Sequence, residues 1–324
     1  MLDLFELQKD ITLGKKIIAV PKEAENSDLQ AIARCIKGGK GIALDLSETK
    51  IKRIEAAFSG CKALKAIVLP KGLESIGNLA FSGCKALKSI LIPEGITSIG
   101  DEAFGGCWGL ADKDGFVIVR GILFDYIGDA HSVVIPEGVT SIGLSAFDGY
   151  APLTQVTIPA SVTGIGVHPF CRCSALATID VASENKNYSS VDGVLFSKDK
   201  KTLVCFPQGK GTDYYEIPQG VTTIDFVAFS VCKALTKVTI PESVTCIEDM
   251  AFEFCSSLMQ VMIPASVTSI GNQAFEGCDN LSPASIKFAD TSGWYFDKGF
   301  TQPAGADELA SSLKDGKALY KKTR

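Results

Sequence analysis

Apolar residues between positions 235 and 258 fall in a fixed order: Leu235-x-x-Val238-x-Ile240-Pro241-x-x-Val244-x-x-Ile247, then Ala251-Phe252-x-x-Cys255-x-x-Leu258. No single period fits the run. Val238-x-Ile240 alternates as a half-buried strand does, and Pro241, which has no backbone N–H to donate, ends it. Ile247 opens the next element. The Ala-Phe-x-x-Cys-x-x-Leu stretch is spaced by threes, as a short helical or 3₁₀ turn is, and is predicted to return the chain to another strand. One copy of the pattern is therefore one coil.

The pattern repeats. Ala-Phe pairs occur at Ala57-Phe58, Ala80-Phe81, Ala103-Phe104, Ala146-Phe147, Ala228-Phe229, Ala251-Phe252 and Ala274-Phe275, with Pro169-Phe170 in the same slot. Adjoining copies are 23 residues apart, as Pro70 and Pro93, Pro136 and Pro159, and Pro218, Pro241 and Pro264 show; intervals of 43 and 59 residues mark two insertions. A lone coil cannot bury its inward side chains, whereas coils stacked at a strand spacing of about 4.8 Å share one core. The predicted fold is a repeat solenoid, β-rich, with short strands joined by helical or 3₁₀ turns. The insertions carry similar segments, Gly121-Ile122-Leu123-Phe124 and Gly193-Val194-Leu195-Phe196, and each leads to a return strand at Ile135-Pro136 or Ile217-Pro218. They read as expanded coils with hairpins.

The ends differ. Residues 29–38, "LQAIARCIKG", have helical spacing, with Asn26 or Ser27 as N-cap and Gly38-Gly39 as stop. The predicted organisation is an N-terminal cap with one helix over 1–46, a solenoid over 47–288 with insertions near 111–134 and 181–216, and a C-terminal cap or tail over 289–324 around Trp294 and Tyr295.

The order Leu-x-x-Val-x-Ile-Pro-x-x-Val-x-x-Ile-Gly-x-x-Ala-Phe-x-x-Cys resembles the BspA-like, 23-residue class of bacterial leucine-rich repeats over about residues 47–288. The resemblance implies a leucine-rich-repeat superhelix and a non-enzymatic protein-binding role. It also implies a bacterial cell-surface or secreted location and attachment to host extracellular-matrix proteins or to other cells. Two other readings stay open beside it: a cytoplasmic interaction scaffold or inhibitor using the same surface, and an enzyme with a site at the Ala111–Val134 or Val181–Glu216 insertion, where a hairpin could wall a cleft.

Composition narrows the partners. With 46% hydrophobic residues and 13 prolines in 324 residues, the chain can bury a substantial core. No apolar run reaches the roughly 18 residues of a membrane-spanning helix. A net charge of −5 with interspersed signs offers no basic face to nucleic acid. The opening "MLDLFELQKD" is acidic where a secretory leader is basic and then continuously apolar, so no export signal is expected within this sequence, which keeps a cytoplasmic location open. The expected partner is a protein, the expected state a monomer, and no cofactor is called for.

Eleven cysteines raise the choice between disulfides, a metal site, a catalytic thiol and core. Seven of them, Cys61, Cys84, Cys107, Cys173, Cys232, Cys255 and Cys278, hold one position three residues after the phenylalanine, with Tyr150 as the exception. Such a column faces inward, where a thiol serves as a small apolar side chain. Runs of three cannot all pair, and an odd total argues against a disulfide framework. Other motifs are incomplete. His168-x-x-Cys171-x-Cys173 lacks the fourth ligand of a zinc site and reads as an irregular coil at Pro169. Gly209-Lys210-Gly211-Thr212 imitates the end of a phosphate loop with Val204 where the first glycine belongs, and Asp112-Lys113-Asp114-Gly115 imitates a calcium loop without its closing Glu. Both read as turns. With only His131 and His168 as histidines, a Ser or Cys nucleophile has few bases, and no enzyme is expected.

The remaining surface signal lies on the strands. Two residues before each proline the side chain must point outward, because its neighbours point in; this column is Val68, Leu91, Val134, Thr157, Glu216, Thr239 and Met262. The flanking column reads Ala66, Ser89, Ser132, Gln155, Tyr214, Lys237 and Gln260. The N-terminal part of the first column is apolar and bordered by the small residues of the flanking one, with Lys62, Lys65, Lys85 and Lys88 nearby. This strand face is the candidate partner-binding surface.

Overall fold

The computed structural model describes residues 17–37 and 41–322, so the predicted helix stop at Gly38-Gly39 lies outside the described residues. Two compact units are present, both built of stacked β-solenoid coils. The first holds the described residues through Asp129 with Val139–Phe147 and Ile165–Pro169; the second holds Ala130–Gly138, Asp148–Gly164 and the residues from Phe170 on.

In the first unit the main sheet is parallel and runs Ile17–Ala19, Ile42–Asp45, Leu64–Val68, Ser89–Leu91. A second parallel sheet stacks the two-residue strands Arg53–Ile54, Ser75–Ile76 and Ser98–Ile99. Between them Phe58, Phe81 and Phe104 form a column with ring centroids 5.5 and 5.3 Å apart. In the second unit Phe206, Phe229, Phe252 and Phe275 repeat it at 5.1, 4.8 and 5.1 Å. Most inward strand and turn positions are buried, Ile90, Ile92 and Ile99 only partly, while the residues between them face outward, so the alternation read from the sequence sorts the faces.

The return segments are short turns, 3₁₀ in part, as the three-residue spacing predicts. Ala56–Phe58 and Trp108–Leu110 form 3₁₀ turns, but the other copies make tight irregular turns. The cause is two left-handed residues in every coil after the first. One precedes the Ala-Phe pair, as at Leu79 (φ 58°) and Met250 (φ 55°); the other lies two residues after the Phe, as at Gly83 (φ 71°) and Val231 (φ 62°). Left-handed backbone cannot continue a right-handed helix, and it turns the N–H toward the neighbouring coil. Gly83 donates to the Gly105 carbonyl at 2.7 Å, Val231 to Glu253 at 2.8 Å and Phe254 to Glu276 at 2.7 Å. The turns are thus tied from coil to coil. Outside glycine this backbone costs on the order of 1–2 kcal/mol per residue. The later position holds Gly60, Gly83, Gly106, Gly149 and Gly277, but Arg172, Val231 and Phe254 in the remaining copies.

All seven column cysteines are buried. Their thiols also bond between coils: Cys84 Sγ donates to the Phe58 carbonyl at 3.1 Å, Cys107 to Phe81 at 3.0 Å, Cys255 to Phe229 at 3.0 Å and Cys278 to Phe252 at 3.1 Å. Each carbonyl already accepts the N–H of its own coil's cysteine, as Phe58 does from Cys61 at 3.0 Å. The thiol therefore takes the second lone pair. Burial pushes the Cys61 thiol up to about 11 and the Cys173 thiol to about 12.

Both insertions carry antiparallel hairpins. Phe116–Val119 pairs with Ile122–Tyr126 through Arg120-Gly121 (φ 53° and 76°), and Tyr188–Val191 with Val194–Ser197 through Asp192-Gly193 (φ 49° and 74°). Two consecutive left-handed residues are what a two-residue hairpin of this twist needs. Each hairpin is anchored by a polar side chain. The Asp125 carboxylate accepts the Gly106 N–H at 3.0 Å and Trp108 Nε1–H at 3.2 Å, replacing the carbonyl that a regular coil would offer; burial nonetheless raises its pKa. Asn185, fully buried, donates to the Pro159 and Val162 carbonyls at 2.8 and 3.0 Å and accepts the Asn187 and Tyr188 N–H groups, both at 2.8 Å.

Caps close both ends of the described chain. Helix α1, Leu29–Ile36, buries Leu29, Ile32, Ala33 and Ile36. Its N-terminal cap corrects the predicted one. A 3₁₀ turn over Asn26–Asp28 leads in from Glu25, whose N–H donates to the Asp28 carboxylate at 3.0 Å. Asn26 is used elsewhere, accepting the Lys52 N–H at 3.0 Å from the first coil. At the other end, helix α2, Leu309–Lys314, precedes Leu319–Lys321, which pairs antiparallel with Ser269–Ile270 and covers that sheet edge. Trp294 is buried beneath this cap, and Lys321 Nζ lies 2.6 Å from the Asp290 carboxylate.

Candidate functional site

The candidate strand face of the first unit is set by register. Ala19, Asp45, Val68 and Leu91 form one outward row, and Ile17, Ala43, Ala66 and Ser89 a second. Ile18, Leu44 and Ile67 point the other way and are buried. Outward, Ile17 is 68% exposed, Val68 50% and Leu91 83%. Parallel sheets are ordinarily covered on both faces, so an open apolar face on one is distinctive. The four lysines do not act alike: Lys62, Lys65 and Lys88 are exposed, whereas Lys85 Nζ sits 3.7 Å from the centre of the Trp108 ring.

The other predicted face residues lie on two sheets of the second unit. Val134, 65% exposed, is in register with Thr157, and Thr157 with Asp180. Gln155 Nε2 donates to Asp180 at 2.7 Å, so that surface turns polar within one strand. Glu216 pairs with Thr239, and Met262 with Lys287. Here Tyr214 bridges, its hydroxyl 3.3 Å from both Glu216 and Thr239 and its ring under Lys237 Nζ at 5.5 Å. Val68 and Leu91 are thus brought side by side, while the remaining five residues divide between separate, more polar sheets.

Ile17 and Ala19 were not read from the sequence. Their signal was present: Ile18-x-Val20-Pro21 repeats the strand-and-proline order of Val238-x-Ile240-Pro241. The other motifs have structural roles. Asp112 accepts the Asp114 and Phe116 N–H groups, both at 2.9 Å, closing the turn before the first hairpin. No group of three or more His, Cys, Asp or Glu side chains among the described residues is placed to hold a metal ion.

A family model described as BspA type leucine rich repeat region (6 copies) matches residues 42–114, 118–209 and 202–295. The chain belongs to this family. No curated protein sequence matches it. Among solved structures, the BspA-type chain is similar to a leucine-rich repeat protein from Eubacterium ventriosum, with 26% identity and a TM-score of 0.51 over 84% of this chain and 68% of that one. A leucine rich cell surface protein from Faecalibacterium prausnitzii is 24% identical, with a TM-score of 0.42 over 88% of this chain and 89% of that one. The pneumococcal vaccine antigen PcpA is 25% identical, with a TM-score of 0.45 over 78% of this chain and 62% of that one. Membership places this BspA-type chain among protein-binding repeat proteins. No helix of the described residues is long and apolar enough to cross a membrane.

Proposed function

We propose that this BspA-type chain is a non-enzymatic adhesion protein, displayed at a bacterial surface or secreted, whose protein ligand docks on the open parallel sheet of the first unit. The observation that carries the reading is the adjacent pair Val68 and Leu91 in one outward row, with Ile17 at the start of the row beside it, all three apolar and turned to solvent. Ala19, Ala43 and Ala66 lie between them and keep the surface low enough for a partner's backbone to approach. Exposed apolar area of this kind, rimmed by charge, marks interaction sites. The ligand it fits presents an apolar surface bordered by acidic side chains, which Lys62, Lys65 and Lys88 would meet. Adhesion and surface location rest on family membership.

The test is the double substitution Val68→Glu with Leu91→Glu. Both side chains point outward, so the thermal transition should stay nearly unchanged, while capture of ligand from host matrix or cell extract should be lost. Capture of the same ligand by the charged variant would move the docking site off this sheet.

A further inference from the structure

The second unit contains a cavity of about 400 Å³ between the coil carrying Arg172 and the coil carrying Val231. It arises where the second insertion thins a coil. Phe206 keeps its place in the ring column, 5.1 Å from Phe229, but is followed by Pro207-Gln208-Gly209-Lys210-Gly211 instead of the usual turn ending in cysteine and leucine. Gly209 donates its N–H to the Leu176 carbonyl at 2.7 Å and lies so close to Ala175 that a Cβ would meet its backbone at 2.4 Å. The loop hugs one wall, and space opens beside it.

One rung of the coil-to-coil ladder is missing there. In most copies the residue two after the phenylalanine donates its N–H to a carbonyl of the next coil, as Gly149 does to Cys171 at 2.8 Å; the Arg172 N–H makes no such backbone bond among the described residues and faces the Cys171 thiol instead. Gln208 reaches across with its side chain instead, Nε2 to the Ser230 carbonyl at 3.2 Å. The charges around the cavity are also unbalanced. Arg172 grips Asp148 through Nε and Nη2, which cancels that carboxylate and leaves Nη1 uncommitted, while Lys233 is exposed with no ion-pair partner among the described residues. Val231 and Ala234 supply an apolar wall. Finally, Arg172 and Val231 occupy the left-handed slot that glycine fills in five other copies, and both line the cavity. Strain held at a site that glycine would relieve points to a use for the side chains.

We propose that this cavity is a carboxylate-binding site, taking an acidic side chain or a chain-terminal carboxylate on a short apolar stem. The carboxylate would sit between the free edge of the Arg172 guanidinium and Lys233, with the stem against Val231 and Ala234. Charge-assisted bonds to fixed donors in a partly enclosed site are the strong ones, and the apolar wall selects against a bare inorganic anion. The site stands independently of the sheet surface described above.

The experiment is an NMR titration of the full chain with three probes: N-acetylglutamic acid α-amide, which carries only a side-chain carboxylate, N-acetylvaline, which carries only a terminal one, and the neutral N-acetylglutamine α-amide. One or both carboxylates should shift the Arg172, Gly209 and Lys233 amides, and which of them does so identifies the source; the neutral probe should not. Lys233→Gln should weaken the binding at least fivefold with an unchanged thermal midpoint. Val231→Gly should weaken it at least threefold with a midpoint equal to or above wild type. Binding of neither carboxylate, equal binding of the neutral probe, or wild-type affinity in Lys233→Gln would overturn the site. Undiminished binding or a lowered midpoint in Val231→Gly would overturn the claim that its strain is held for a ligand.

Discussion

Truncation of Phe252 to alanine tests the stacked core most directly. Its ring is fully buried, 4.8 Å from Phe229 at 11° and 5.1 Å from Phe275 at 3°. Removing a buried phenylalanine costs about 3–5 kcal/mol in lost burial and cavity. Two stacked pairs disappear as well, each contributing about 0.5–1.5 kcal/mol beyond area. The cavity cannot easily collapse, because the coils above and below are pinned by Phe229 N–H to Ala251 and Phe252 N–H to Ala274, both at 2.8 Å. The expected loss is therefore near the upper end, about 5 kcal/mol. Phe58 is the control. It too is fully buried, but it has one stacked partner, Phe81 at 5.5 Å, so Phe58→Ala should cost about 1 kcal/mol less. Urea titration is the assay, with Trp294 fluorescence reporting the second unit and Trp108 the first. A loss below about 1.5 kcal/mol at Phe252, with an unchanged urea dependence, would refute the ring column as a main source of stability.

Three further outcomes follow from the geometry. The column thiols, with Cys61 raised to about 11 by burial, should not react with an aromatic disulfide reagent at pH 8 until the chain is denatured, and labelling of Cys61, Cys255 or Cys278 in the native state would contradict their placement. Cys255→Ala should cost about 1–2 kcal/mol through the lost thiol bond and the small void, so a Cys255→Ala variant as stable as wild type would show that the 3.0 Å contact to Phe229 contributes nothing. The Asp290 carboxyl is held well below its ordinary value of 3.8, chiefly by the hydrogen bond from Lys321. A depressed carboxylate contributes stability that is present above its unfolded value and lost as pH falls through its folded one. The stability difference between wild type and Asp290→Asn should accordingly shrink as pH drops from 6 to below 3, and a difference constant across that range would sink the linkage.

The repeat, the strand positions and the buried columns were legible because burial imposes a period, and a period of 23 residues can be counted in one sequence. The turns were legible only as turns. Three-residue spacing in Ala251-Phe252-x-x-Cys255-x-x-Leu258 is what a short helical or 3₁₀ turn shows, and nothing in the letters Met250 or Phe254 announces a left-handed backbone, which glycine would have done. The cap at Glu25–Asp28 was misplaced by one residue for a similar reason: Asn26 has the chemistry of a cap but spends its carbonyl oxygen on Lys52. At the candidate face, alternation predicted that Val68 and Leu91 point outward. It could not show which outward residues share a sheet, because that depends on where the insertions interrupt the pairing.

The bonds between coils have a kinetic consequence. Rungs such as Thr97 Oγ1 to Glu74, Thr236 Oγ1 to Asp213 and Thr268 Oγ1 to Thr245 all join residues 23 apart. Adding coils adds more closures of that one length and none that is longer. The mean sequence separation of contacts, as a fraction of chain length, therefore falls as the array grows, which is the regime of fast folding. Closure entropy rises only with the logarithm of loop length, so even the 59-residue interval costs about 0.8 kcal/mol more to close than a regular one. An array of this kind should assemble by zipping outward from whichever adjacent pair of coils forms first.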